Sequence, residues 1–126
     1  MRKLVGLGVF IALAVFIHSC TKDVAQKPTT VDCTAVNADS NTYNITIKPI
    51  LDNYCAYGGC HDAVTKESGV NLSDYSNALS AFQSKSALCT IKRESGCGVG
   101  MPYNDPKLAD SLITYIECWA NNGYAQ

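Results

Sequence analysis

Cys55-Ala56-Tyr57-Gly58-Gly59-Cys60-His61 puts two thiols and an imidazole in one short segment. Three chemistries are open to such a set. Two thiols in an oxidising compartment pair as a disulfide, which leaves the histidine incidental. Two thiolates and an imidazole bind zinc when a fourth donor stands nearby. Two thiols also form thioethers with the vinyl groups of a haem, while the histidine after the second cysteine reaches the iron. The usual spacing for that attachment is C-x-x-C-H. Here it is C-x-x-x-x-C-H. Gly58-Gly59 can absorb the extra length as a tight bulge, because glycine takes positive φ without a Cβ clash. Zinc is the weakest of the three. Adjacent Cys60 and His61 are awkward tetrahedral partners, and no fourth ligand stands at the usual spacing.

The other donors separate the remaining two. The chain has two histidines and two methionines. Met1 and His18 fall in an N-terminal stretch that reads as an export signal. Arg2 and Lys3 precede an apolar run from Leu4 to Ile17, shorter than the roughly 20 residues a membrane-spanning helix needs. With residues 1–19 removed, His61 and Met101 are the histidine and methionine that remain, and that pair serves as axial haem ligands in many cytochromes c. Met101 lies in Gly98-Val99-Gly100-Met101-Pro102, a glycine-rich loop, whereas a core-filling methionine belongs on an apolar helical face.

Ile17-His18-Ser19-Cys20 resembles a bacterial lipobox, with an aliphatic residue three before the cysteine and a small residue just before it. The resemblance implies lipidation of Cys20, a membrane anchor, and residence at a bacterial envelope membrane, on its periplasmic side or outer surface. The full chain carries a formal charge of −1 and becomes more acidic without Arg2 and Lys3. It has no basic footprint for nucleic acid. An exported chain with seven cysteines should hold most of them paired or modified.

Residues 20–42 are polar, without apolar periodicity, and read as a tether. Residues 43–126 read as one small all-α domain. Ile47, Ile50, Leu51 and Tyr54 form a helical stripe, with Thr46 as a cap and Pro49 in the first turn. Tyr75, Ala78, Leu79 and Phe82 form a second, with Ser73 as a cap. Leu108, Leu112, Tyr115, Ile116 and Trp119 form a third, started by Asp105-Pro106 and stopped by Gly123. Residues 58–71 and 88–104 read as long loops. Three short helices supply little core, so a domain of this size needs covalent links or a cofactor at its centre.

The order of these elements resembles the small single-haem c-type cytochrome domains of bacterial lipoproteins and multidomain periplasmic proteins. Those show a helix ending "I-x-P-I-L…C", the haem cysteines with histidine, "G-x-x-L-x-x-Y", "M-P" and a last helix ending "W-x-x-x-G". This chain has Ile47-Lys48-Pro49-Ile50-Leu51 before Cys55, Gly69-Val70-Asn71-Leu72-Ser73-Asp74-Tyr75, Met101-Pro102, and Trp119-Ala120-Asn121-Asn122-Gly123. It departs from the family in the longer gap between Cys55 and Cys60. The resemblance implies one haem c on thioethers to Cys55 and Cys60, with His61 as proximal and Met101 as distal iron ligand. An iron filled on both sides exchanges electrons with a redox protein partner and has no open position for substrate, so the expectation is a carrier and not an enzyme. The competing expectation is a binding or structural lipoprotein without haem, in which Cys55 and Cys60 form a third disulfide.

Cys33, Cys89, Cys97 and Cys118 remain, and four cysteines allow three pairings. The favoured set is Cys89–Cys97, which would stiffen the Met101 loop, with Cys33–Cys118, which would fasten the tether to the last helix.

Overall fold

A computed structural model describes residues 31–84 and 86–126. The expected signal, the lipidated Cys20 and the first part of the tether lie outside the described residues. The described chain is helical and contains no strand, in keeping with an all-α domain. None of its helices is long and apolar enough to cross a membrane.

A π-helical turn, Tyr43–Ile47, runs straight into α1, Lys48–Tyr54. Pro49 occupies the first turn of α1, where a missing N–H loses no helical bond. Ile47, Ile50 and Leu51 are buried as their spacing requires. Thr46 is not a cap, because the π turn carries the helical backbone upstream of it. Its hydroxyl donates instead to the Ser40 carbonyl at 2.7 Å.

A 3-10 turn at Glu67–Gly69 leads to α2, Tyr75–Ser84. Its cap is Asp74 and not Ser73. Asp74 Oδ1 accepts the Asn77 N–H at 3.0 Å, satisfying a donor that the first turn leaves free. Ser73 is already committed to Asn71 Oδ1 at 2.7 Å. Ala78, Ala81 and Phe82 form the buried face of α2.

The stretch expected as a second long loop begins with a fourth helix, α3, Ala87–Lys92. Leu88 and Ile91 are too short a stripe to announce it in the sequence, and packing holds it instead. Ile91 is 5 % exposed. Lys92 pairs with Glu117 of the last helix at 2.6 Å and with Glu94 at 2.8 Å.

That last helix, α4, spans Asp110–Asn121 and starts later than Asp105-Pro106 suggests. Leu108 reaches the core from a non-helical segment, which keeps the chain extended ahead of the helix. The C-terminal stop is as expected. Gly123 has φ +82, its N–H donates to Ala120 O at 3.2 Å, and the Tyr124 N–H donates to Trp119 O at 2.9 Å. These two bonds are those of a Schellman cap. α4 packs on the π turn and on α3, and α3 on α2.

Both favoured disulfides are present. Cys33–Cys118 ties the segment before the domain to α4, and Cys89–Cys97 ties α3 to the loop that follows, each with a Cα–Cα distance of 5.7 Å. Asn41 strengthens the first link: it is 2 % exposed, and its side-chain amide donates to Tyr115 O at 3.0 Å.

Trp119 centres the core and is fully buried. Phe82 and Tyr124 meet it edge-on, with ring centroids at 5.7 Å and 4.9 Å, and Tyr43 lies at 6.2 Å. Such pairs add to the burial of large aromatic area. The C-terminal backbone accepts from several groups of this cluster, while the buried Tyr43 hydroxyl has no hydrogen-bond partner among the described residues. Ala125 O accepts the Trp119 indole N–H at 2.7 Å and the Tyr43 N–H at 2.8 Å, and Tyr124 O accepts the Tyr75 hydroxyl at 2.8 Å.

Candidate cofactor site

Cys55 leaves the end of α1, and the chain returns to its carbonyl at His61, whose N–H donates there at 3.0 Å. Between them the extra length forms a capped turn. The Cys60 N–H donates to Tyr57 O at 3.1 Å, and Gly59 takes φ +90, a conformation strained for any residue with a Cβ. Asp62 fastens the turn. Its Oδ1 accepts the N–H groups of Val64 at 2.7 Å and Thr65 at 3.0 Å, and its Oδ2 accepts the Gly59 N–H at 3.2 Å. Bonds from Thr65, then Val64 and Gly59, hold the Asp62 carboxyl down at about 2. The long cysteine spacing is therefore an ordered loop with its own stabilising carboxylate.

The chain from Glu67 to Leu72 straps this loop. The Glu67 N–H donates to Cys60 O at 2.9 Å and the Leu72 N–H to His61 O at 2.8 Å. The strap also orients the imidazole. His61 Nδ1 lies 3.3 Å from the Val70 carbonyl oxygen. The tautomer that donates from Nδ1 leaves the Nε2 lone pair available to a metal, the arrangement in which a carbonyl steers a ligating histidine.

Cys55 and Cys60 are free thiols, whereas the other described cysteines are paired. Burial, reinforced by Cys60, pushes Cys55 up to about 12. It stays protonated at neutral pH and is a poor thiolate nucleophile. A hydrogen bond with Cys60 raises Tyr57 above the usual phenol value.

Met101 comes from the loop after α3, half-buried against the core, with its N–H donating to Thr90 O of α3 at 3.0 Å. Gly96 and Gly98 turn its loop at φ +87 and +83. Gly100 faces the Arg93 side chain, which a Cβ at this position would meet.

These residues meet at one place. Cys55, Cys60, His61 and Met101 all line a cavity of about 510 Å³. An adjoining cavity of about 160 Å³ shares Cys55, His61, Ser68 and Met101 and is walled by core residues such as Leu51, Phe82 and Ile116. The larger volume lies in the range of small-molecule and cofactor sites, ~300–1,000 Å³. At its mouth stand Tyr54, Tyr57, Val99 and Tyr103, 41–64 % exposed. Tyr54 therefore belongs to the site and not to the core, although its position on the α1 stripe is the same for both. Glu67 is the charged residue on the wall.

The donor set is one imidazole, one thioether and two thiols around a largely apolar space. It can hold a flat apolar cofactor through covalent links at the thiols and bind its metal through His61 and Met101. Among the described residues the one cluster of three close His, Cys, Asp or Glu donors is Cys89, Glu94 and Cys97. Two of its members form a disulfide, so it is not a zinc site.

Sequence reasoning did not find Ser68, Asp62, Arg93 or the Val70 carbonyl. Asp62 had a legible signal, a carboxylate ahead of Val64-Thr65 in a turn-rich stretch. The others had none. Comparison with protein-family models, with curated proteins and with solved structures finds no match to this chain.

Proposed function

We propose that this protein is a single-haem c-type cytochrome that carries electrons. The observation that favours this reading is the convergence of two free thiols, a carbonyl-oriented histidine and a methionine from a distant loop on one apolar cavity. The two free thiols also set this reading above the haem-free lipoprotein, which needs Cys55 and Cys60 in a third disulfide.

Cys55 and Cys60 would each add S–H across a vinyl group, sulfur to one carbon and hydrogen to the other. His61 would ligate from Nε2, held by Val70 O, and Met101 from the loop after α3. The bound haem iron supplies one-electron exchange between ferric and ferrous states. The neutral thioether of Met101 favours the ferrous state and raises the potential. Tyr54, Tyr57, Val99 and Tyr103 would lie between the cofactor and solvent at the mouth of the site. A redox protein is the partner in this reading, and lipidation at Cys20 would hold the carrier at an envelope membrane.

Protein produced with a cytochrome maturation system tests this directly. Intact-mass analysis should show one haem that survives denaturation, and the pyridine haemochrome spectrum should report thioether-linked haem. Unmodified Cys55 and Cys60, or a disulfide between them, sinks the proposal.

A further inference from the structure

We infer that Arg93 is a positioning residue for Met101, a role that rests on the ligand assignment proposed above. Arg93 closes α3 in a left-handed conformation, φ +57, so its side chain leaves the helix axis and crosses the Met101 loop. Its guanidinium donates from Nη2 to the carbonyl of Pro102, at 3.1 Å, and to that of Asp105. Its aliphatic stem lies on the backbone of Gly100. A Cβ at Gly100 would come within 2.8 Å of Arg93 Cγ and 3.1 Å of Cδ. The loop is thus gripped on both sides of Met101, by packing at the residue before it and by a hydrogen bond at the residue after it.

α3 supplies the rest of the grip. Thr90 O accepts the Met101 N–H at 3.0 Å, and Cys89 is bonded to Cys97 at the start of the loop. α3 is itself fixed to α4 by Lys92 and Glu117. The methionine donor therefore belongs to a rigid unit built on α3. The two N–H groups of Nη2 serve both carbonyls while the stem packs flat on Gly100, and the planar guanidinium holds those two directions fixed where an ammonium on a flexible stem does not. Gly100 is the matching half of the device, since any side chain there displaces the stem.

The test uses the haem-loaded protein and three variants, Arg93→Ala, Arg93→Lys and Gly100→Ala. Arg93→Ala should keep its haem but weaken the ferric sulfur-to-iron charge-transfer band and lower the reduction potential. Exogenous imidazole, which competes with the thioether, should bind it about tenfold more tightly, the scale set by losing hydrogen bonds of modest net strength. The Met101 amide should also exchange faster. Arg93→Lys keeps the stem and one donor and should fall between wild type and Arg93→Ala. Gly100→Ala should weaken the band with Arg93 still present, which covers the case in which Arg93→Ala fails to fold. Wild-type band, potential and imidazole affinity in Arg93→Ala and Gly100→Ala overturn the inference and leave the haem reading standing. A wild-type protein with haem but no such band overturns both the Met101 assignment and the inference.

Discussion

The two ends of this small domain are built in opposite ways. At the end around Trp119 the protein fills its own interior. Phe82, Tyr124 and Tyr43 close on the indole, Ala125 O accepts the Trp119 indole N–H and Tyr124 O the Tyr75 hydroxyl. At the end around His61 and Met101 the side chains stand apart around about 510 Å³. Order there comes from the backbone and from short links: the Asp62 turn, the strap from Glu67 to Leu72, the Cys89–Cys97 bond and the Arg93 clamp. The first end is filled by its own side chains, and the second keeps a cavity. Loss of contacts at the first should register as lost stability, and loss at the second chiefly as altered ligand binding.

The largest stability effect should follow removal of the long-range cross-link. Cys33–Cys118 closes 85 residues and Cys89–Cys97 closes 8. Loop-closure entropy then gives ~4–5 kcal/mol for the first. A Cys33→Ala/Cys118→Ala protein should lose about that much in denaturant unfolding and, on the proposed haem reading, keep its haem spectrum when folded. An equal shift in the spectrum would mean that the two ends are coupled.

Trp119→Ala should cost ~3–5 kcal/mol, the range for a large aromatic removed from a packed core. The Tyr43 and Phe82 rings lose their shared face, and Ala125 O loses a donor. Thermal unfolding measures it, and a cost under ~1 kcal/mol would show that this end is not the stability core.

Removing Cys89–Cys97 should cost only ~2–3 kcal/mol by the same entropy estimate. Its distinguishing sign is a weakened sulfur-to-iron band at pH 7, because the loop that carries Met101 is released at one end. An unchanged band with lowered stability would place this cross-link with the first end.

The smallest effect concerns Asp74. Bonds from the Asn77 backbone and side chain hold its carboxyl below the usual range. A depressed value means that its stabilising effect is complete above the unfolded pKa, ~3.9, and is lost as pH falls through the lower folded value. Asp74→Ala should cost ~1 kcal/mol at pH 7 and show less loss on acidification than wild type. A parallel acid profile for the two proteins would refute the capping role.

Local signals explain which elements were legible. Ile47, Ile50 and Leu51 are a stripe along one continuous run of helical backbone, and Gly123 is a stop that any helix would use, so both could be recognised without the rest of the molecule. The misplaced features all depend on distant partners. α3 is short and is held by Ile91 in the core and Lys92 on Glu117. Asp105-Pro106 carries a strong start signal, yet burial of Leu108 and the Arg93 clamp on Asp105 O keep that stretch out of the helix. Tyr54 and Tyr115 sit on helical stripes but are 45 % and 38 % exposed, left uncovered by the described elements. Periodicity says which side of a helix is apolar, not whether something covers it.

For the candidate site, residue type and spacing alone were enough to single out Cys55, Cys60, His61 and Met101 and to favour the pairing of Cys33 with Cys118 and Cys89 with Cys97. Donor chemistry is a property of the residue and survives without a structure. Only the tertiary structure decided that Met101 comes to the same cavity as His61, that Val70 O turns the imidazole, and that Arg93 lies across the loop. Each of those joins groups separated along the chain. Such contacts depend on how helices pack and where loops close, and no local pattern of residues encodes them.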